Sequence, residues 1–141
     1  MSINNIFGIA GSALNAQMVR MNSTASNLAN ASTVSSSAEE AFRAKRPIFQ
    51  ALLSEQQTNQ GSQYIGGVKV AEIIEDQTAG GQIYDPSNPK ADENGLIYLS
   101  NVNEVSEMVD MMASARSYQN NVEVINTARE LMMRTLDLTK V

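Results

Sequence analysis

The N-terminal arm of this chain is almost without charge. Between Met1 and Ala38 there is no Asp, Glu or Lys, and the single charged residue is Arg20. The arm nevertheless has a helical pattern. Phe7, Gly11, Leu14, Met18, Met21, Ala25 and Leu28 alternate at spacings of four and three, a heptad seam of small or flexible members. A helix with a wet face normally carries Glu and Lys on it. Here Asn, Ser, Gln and Ala fill that face, so the helix can be covered all round without stranding an ion. A disordered segment would run to high charge and low hydrophobicity. Seam and missing charge together point to a helix whose outer face meets other protein, as inside a tightly packed polymer. Gly8 and Gly11 each weaken it by about 1 kcal/mol relative to Ala. The arm is therefore expected to be a poor helix alone and to be ordered by a partner.

A second long helix is expected from Val102 to Leu138, a stretch with no Gly or Pro. Met108, Met111, Ala115, Tyr118, Val122, Ile125, Arg129, Met132 and Leu136 form its seam, broken only by Arg129. At 1.5 Å per residue it is a rod of roughly 50 Å. Glu104, Glu107 and Asp110 lead and Arg129, Arg134 and Lys140 trail, which suits the helix dipole.

Between the helices, "NASTVSSSAEE" reads as a polar linker and "FRAKRPIFQALL" (42–53) as extended, with Pro47 marking an edge or a bulge. Residues 54–63 read as a flexible loop, 64–77 as a β-branched strand, and 82–85 and 96–100 as short strands around a turn-rich excursion at 86–95. The chain thus divides into 1–30, 31–101 and 102–141. The expected fold is α+β: N- and C-terminal helices forming an antiparallel coiled-coil hairpin, joined by a small antiparallel β insert. The longer second helix is expected to overhang the first near the insert, around Val105 to Met112.

Composition excludes several kinds of chemistry. The 141 residues contain no Cys and no His, which removes thiol chemistry, His- or Cys-based zinc sites and His-dependent triads. A net charge of −5 argues against nucleic acid or anionic lipid as main partner, and the short basic cluster Arg43-Ala44-Lys45-Arg46 does not reverse that. No apolar run is long enough to span a membrane. Residues 3–16 lack the basic start and unbroken apolar run of a cleaved secretory signal. The acidic pairs Glu39-Glu40, Glu75-Asp76 and Asp92-Glu93 read as solvated surface rather than an acid/base couple. "DPSNPKADENG" (85–95) lacks the ligand spacing of a calcium loop and reads as a turn on Pro86, Pro89, Asn94 and Gly95. No catalytic residue, metal, cofactor or small-molecule substrate is expected.

"SALNAQMVRMNSTASNLANAST" (12–33) resembles the N-terminal signature of the bacterial flagellar axial proteins, the rod, hook and hook-associated proteins. Their heptad seam ends in a motif of the form N-[LIVM]-A-N-x-x-T, matched by Asn27, Leu28, Ala29, Asn30 and Thr33. The C-terminal segment 101–138 is similar too, with Glu107, Met108, Met111, Ala115, Arg116, Tyr118 and Asn121 in the family's E-M-x-x-M-x-x-A-x-R-x-Y-x-x-N core. Length and the segment "YDPSNPKADENGLIYLSNVNEV" resemble the proximal-rod members most, while 35–41 and 54–63 match nothing in particular. The resemblance implies a structural subunit, exported unfolded by the flagellar type III apparatus without a cleaved signal. It implies helical polymerisation in the periplasm to transmit torque, the two helices packing around the axial channel. Implied partners are the chain itself, other proximal and distal rod proteins, the inner-membrane ring and the rod-base adaptor. Implied assembly residues are Phe7, Leu14, Met18, Met21, Asn27, Leu28, Asn30, Thr33, Met108, Met111, Tyr118, Val122, Ile125, Met132 and Leu136. The rival reading is a free-standing coiled-coil adaptor or secretion chaperone that binds peptides through its Met-rich seam.

Overall fold

The computed structural model describes residues 3–58 and 61–138. It is α+β, with two long helices and two small antiparallel sheets. Helix α1 covers Ile3–Asn30 and helix α2 covers Glu104–Leu138. Between them lie β1 (Val34–Ser35), β2 (Lys45–Thr58), β3 (Gly61–Glu75), β4 (Gln82–Tyr84) and β5 (Leu96–Leu99).

The helices lie against each other with opposite chain directions. Asn27, near the end of α1, is hydrogen-bonded to Glu107, near the start of α2. Ile6, near the start of α1, shares a groove with Val124, Ala128 and Leu131, late in α2. These contacts align the end of α1 with the start of α2. The overhang expected near the insert therefore lies at the other end, beyond about Leu131. The chain turns back at once after α1: Ser32 bonds to Glu104 and Ser100 to the Ala31 carbonyl, at 3.0 and 2.6 Å.

The middle segment forms two separate sheets rather than one β unit. Strands β2 and β3 make a long ribbon, and β1, β5 and β4 make a three-stranded sheet in that order. The ribbon runs through the segment expected to be a loop, with pairing described as far as Thr58 and Gly61. A two-stranded ladder is held by backbone bonds and so does not need the apolar alternation that marks a strand in sequence. The register shifts between Ile48 and Phe49, one residue beyond Pro47, which has no N–H to give the ladder. Strand β1 falls inside the expected linker: Val34 pairs with Leu99 and Ser35 with Tyr98. Two residues carry no readable alternation, so only the partner strand reveals them.

The ribbon packs on α1. Ser12 Oγ accepts from the Val68 N–H at 3.1 Å, and a Cβ at Gly67 would sit 3.3 Å from that oxygen, so Gly67 permits the close approach. The Arg20 guanidinium lies 4.9 Å from the Phe49 ring centre. In the excursion, Gly95 has φ +75°, and Asp92 Oδ1 accepts from the Asn94 and Leu96 amides.

The core is thin. Among the described residues the buried apolar side chains are Ala10, Ala16, Ala44, Ile97 and Ala128, while many larger ones stand exposed. Alanine buries little area, so the isolated subunit gains little hydrophobic stabilisation.

Candidate assembly surface

Three features set this surface: an inner seam, a polar clasp and an outer stripe. On α2 the side chains turned inward are Glu107, Met111, Ser114, Tyr118, Asn121, Ile125, Ala128 and Met132, again at alternating four and three. Glu107, Ser114 and Ala128 are 0, 1 and 4 % exposed. Met111, Tyr118, Ile125 and Met132 lie where the apolar pattern set them. Every other position moves back by one residue, to Glu107, Ser114, Asn121 and Ala128. Two of these positions, Ser114 and Ala128, carry small side chains that permit close approach, Glu107 is held by the clasp described below, and the larger Met108 and Leu136 turn outward at 55 and 52 % exposure. Arg129 is exposed and breaks nothing. Val122 is half-buried at the seam's edge.

On α1, Phe7, Leu14, Met21 and Leu28 are half-buried, whereas Met18 is 46 % exposed. The fully buried positions are Ala10, Ala16, Ser23, Thr24 and Asn27, small or polar residues again. A search for large apolar residues misses them; small residues at helical spacing are the signal that finds them.

The clasp ties α1, β2 and α2 together. The Asn27 side chain, 1 % exposed, donates from Nδ2 to Glu107 Oε2 and to the Lys45 carbonyl, both at 3.0 Å. Its Oδ1 accepts from the Lys45 N–H at 2.8 Å. Arg46 stands 2.8 Å from Glu107 Oε1, an ion pair by distance, and 3.7 Å from Asp110. The burial of this carboxylate is offset by the Asn27 hydrogen bond at Oε2 and by the Arg46 charge beside Oε1, which itself has no hydrogen-bond donor among the described residues. Next to it, Asn103 caps α2: its Oδ1 accepts from the Ser106 N–H. Asn101 joins the sheets, accepting from the Ala44 N–H and donating to the Asp76 and Thr78 carbonyls.

The end of α1 is closed by its own residues. Asn30 Nδ2 donates to the Ser26 carbonyl, and Thr33 donates twice to the Asn30 carbonyl, through its N–H and its hydroxyl. The motif Asn27–Thr33 thus has a physical content: Asn27 holds the clasp, and Asn30 and Thr33 end the helix.

The outer stripe of α1 is Gly8, Gly11, Asn15, Met18, Asn22, Ala25 and Ala29. All seven are exposed, they recur at three and four, and none is charged. Near the start of α2, Val105 and Met112 are 71 %, Val109 60 % and Met108 55 % exposed. Two uncharged strips therefore face outward.

The description "Flagella basal body rod protein" belongs to a family model that matches residues 7–34, and "Flagellar basal body rod FlgEFG protein C-terminal" to one that matches 93–138. The flagellar basal-body rod protein FlgC of Salmonella typhimurium is 47 % identical over 98 % of both chains. That of Escherichia coli O157:H7 is 46 % identical over the same shares. The Bacillus subtilis FlgC is 34 % identical over 94 % of this chain and 95 % of its own. The chain belongs to the FlgC family of flagellar basal-body rod proteins. It is a structural subunit of the basal-body rod, part of the apparatus of motility. Nothing among these FlgC relatives supports the adaptor or chaperone reading.

Proposed function

We propose that the chain polymerises helically as a proximal-rod subunit, burying the uncharged stripe of α1 against neighbouring subunits. The observation that carries this is the stripe itself: seven exposed positions from Gly8 to Ala29 without a charge. Water exerts no such restriction on a helix face, whereas a buried interface penalises every unpaired ion. The thin core supports the same reading, because the free subunit buries too little to hold both helices firmly. Packing of α1 and α2 in coiled-coil fashion around the axial channel, export through the type III apparatus without a cleaved signal, and contact with the other rod proteins, the inner-membrane ring and the rod-base adaptor belong to this proposal. A weakly held α1 suits passage as an extended chain and ordering on arrival.

The test is a charge placed on the stripe. Ala25→Asp cells should express and export the subunit yet build no rods, because the carboxylate would be buried unpaired at about 3 kcal/mol or more. Glu39→Ala, at an exposed position whose side chain makes no hydrogen bond or ion pair among the described residues, should leave swimming unchanged. Normal motility with Ala25→Asp at wild-type levels rejects the proposal.

A further inference from the structure

The excursion at 85–95 ends in the one Asn-Gly pair of the chain, Asn94-Gly95. In an unfolded chain such a pair is chemically weak. Glycine puts no side chain between its own amide nitrogen and the carboxamide before it, so that nitrogen can reach Asn94 Cγ. The fold ties the same nitrogen down. Residues 92–95 form a turn in which the Gly95 N–H donates to the Asp92 carbonyl at 3.0 Å. The Asn94 and Leu96 amides both donate to Asp92 Oδ1 at 2.8 Å, and the Gly95 carbonyl accepts from the Asp85 N–H at 2.9 Å. Gly95 is buried at φ +75°, where an added Cβ would stand 2.9 Å from the Tyr84 ring and 3.1 Å from Pro86. Asn94 itself is exposed, so water reaches it. What the fold withholds is the nucleophile.

We infer that Asn94 is a deamidation site which the folded turn protects and the unfolded chain exposes, and that the isoaspartate product cannot rebuild the turn. The reaction needs only base and water. The Gly95 amide gives its proton to hydroxide, and its nitrogen bonds to Asn94 Cγ. The Cγ–Nδ2 bond breaks, and ammonia leaves with a proton from water. The cyclic imide then takes up water at either carbonyl, leaving aspartate or isoaspartate at position 94. In the folded turn the Gly95 nitrogen must first leave the Asp92 carbonyl and move within a packed site. In the unfolded chain it is free. No other Asn offers the same course: Asn88 precedes Pro89, which has no N–H to give up, and the rest precede residues with side chains. Isoaspartate adds a backbone methylene inside the turn that joins β4 to β5, whose register sets Tyr84 opposite Leu96. It also puts a carboxylate where the Asn94 side chain now hydrogen-bonds Asp92. The inference stands apart from the polymer proposed above, since it concerns only whether the chain is folded.

The experiment holds the purified subunit in mildly alkaline buffer, native and in urea sufficient to unfold it, and follows each Asn by mass spectrometry with fragmentation that separates aspartate from isoaspartate. Asn94 should deamidate at least tenfold faster in urea than in the native subunit, and in urea at least fivefold faster than any other Asn. Gly95→Ala, measured only in urea where folding does not matter, should slow the reaction at position 94 at least fivefold. When the urea-aged chain is refolded, the protease-resistant fraction should hold at least fivefold less isoaspartate at position 94 than the whole sample. Equal rates in native and unfolded protein overturn the protection by the turn. Faster loss at another Asn in urea, or no slowing by Gly95→Ala, overturns the assignment of the site. Equal isoaspartate in the refolded fraction and the whole sample overturns the claim that the product cannot rebuild the turn.

Discussion

Asn27 shows how much one side chain can join in a small protein. Its amide uses both donor and acceptor to hold a buried carboxylate on α2 and the backbone of β2. Asn27→Leu would keep the volume but leave Glu107 and the Lys45 N–H short of partners, at about 3 kcal/mol. Rods should be lost with export intact; rods in normal number would show that the clasp is dispensable. A milder electrostatic unit sits at Asp92. The Leu96 amide, with Asn94 and the Tyr98 hydroxyl, holds its carboxyl below its ordinary value of 3.8. Partial burial, then the Asp92 charge, pushes the Tyr98 phenol above 10.0. The depressed carboxylate stabilises the turn above pH 3.8, and that contribution is lost as pH falls through the lower folded value. The raised phenol works the other way, its contribution present below pH 10.0 and lost as pH rises beyond it. The Leu96 amide resonance should therefore stay constant between those limits and move below pH 3.8, and Asp92→Asn should abolish the acid step. A Leu96 transition centred above pH 3.8 in the wild-type protein would contradict the arrangement.

The helices test the inward-facing register directly. Ala128 is buried and Arg129 exposed, so Ala128→Arg should abolish rods while Arg129→Ala should be silent; the reverse order would restore the seam drawn from apolar spacing alone. Gln17 lies level with Tyr118 if Asn27 faces Glu107, so cysteines at 17 and 118 should crosslink within one subunit and cysteines at 7 and 118 should not. Much at this level was legible. Both helices, at least part of four of the five strands and the turn at 86–95 follow from periodicity and turn residues. The inward face of each helix was legible only at alternate seam positions, because hydrophobicity ranks Met108 above Ser114 whereas Ser114 is buried and Met108 exposed. The ribbon tip and β1 were missed because polar strands and two-residue strands have no periodic signature. The clasp was hidden for a similar reason: Asn27 and Glu107 are 80 positions apart, and only the fold makes them neighbours.

For the subunit as a whole, the missing charge in the arm and the thin core describe one condition. A chain that buries little of its own apolar surface and removes ions from an exposed helix face is built to be completed by its neighbours. The measurement that tests this most directly is thiol accessibility before and after assembly. Single cysteines at Asn15, Asn22 or Ala25, with a control at exposed Glu93, would be labelled with a maleimide in purified subunit and in purified basal bodies. The three stripe positions should react readily in the free subunit and at least tenfold more slowly in the assembled rod, with Glu93 as the unburied reference. Equal labelling of the stripe in both states would mean that its face stays in water, and the uncharged arm would then need another cause.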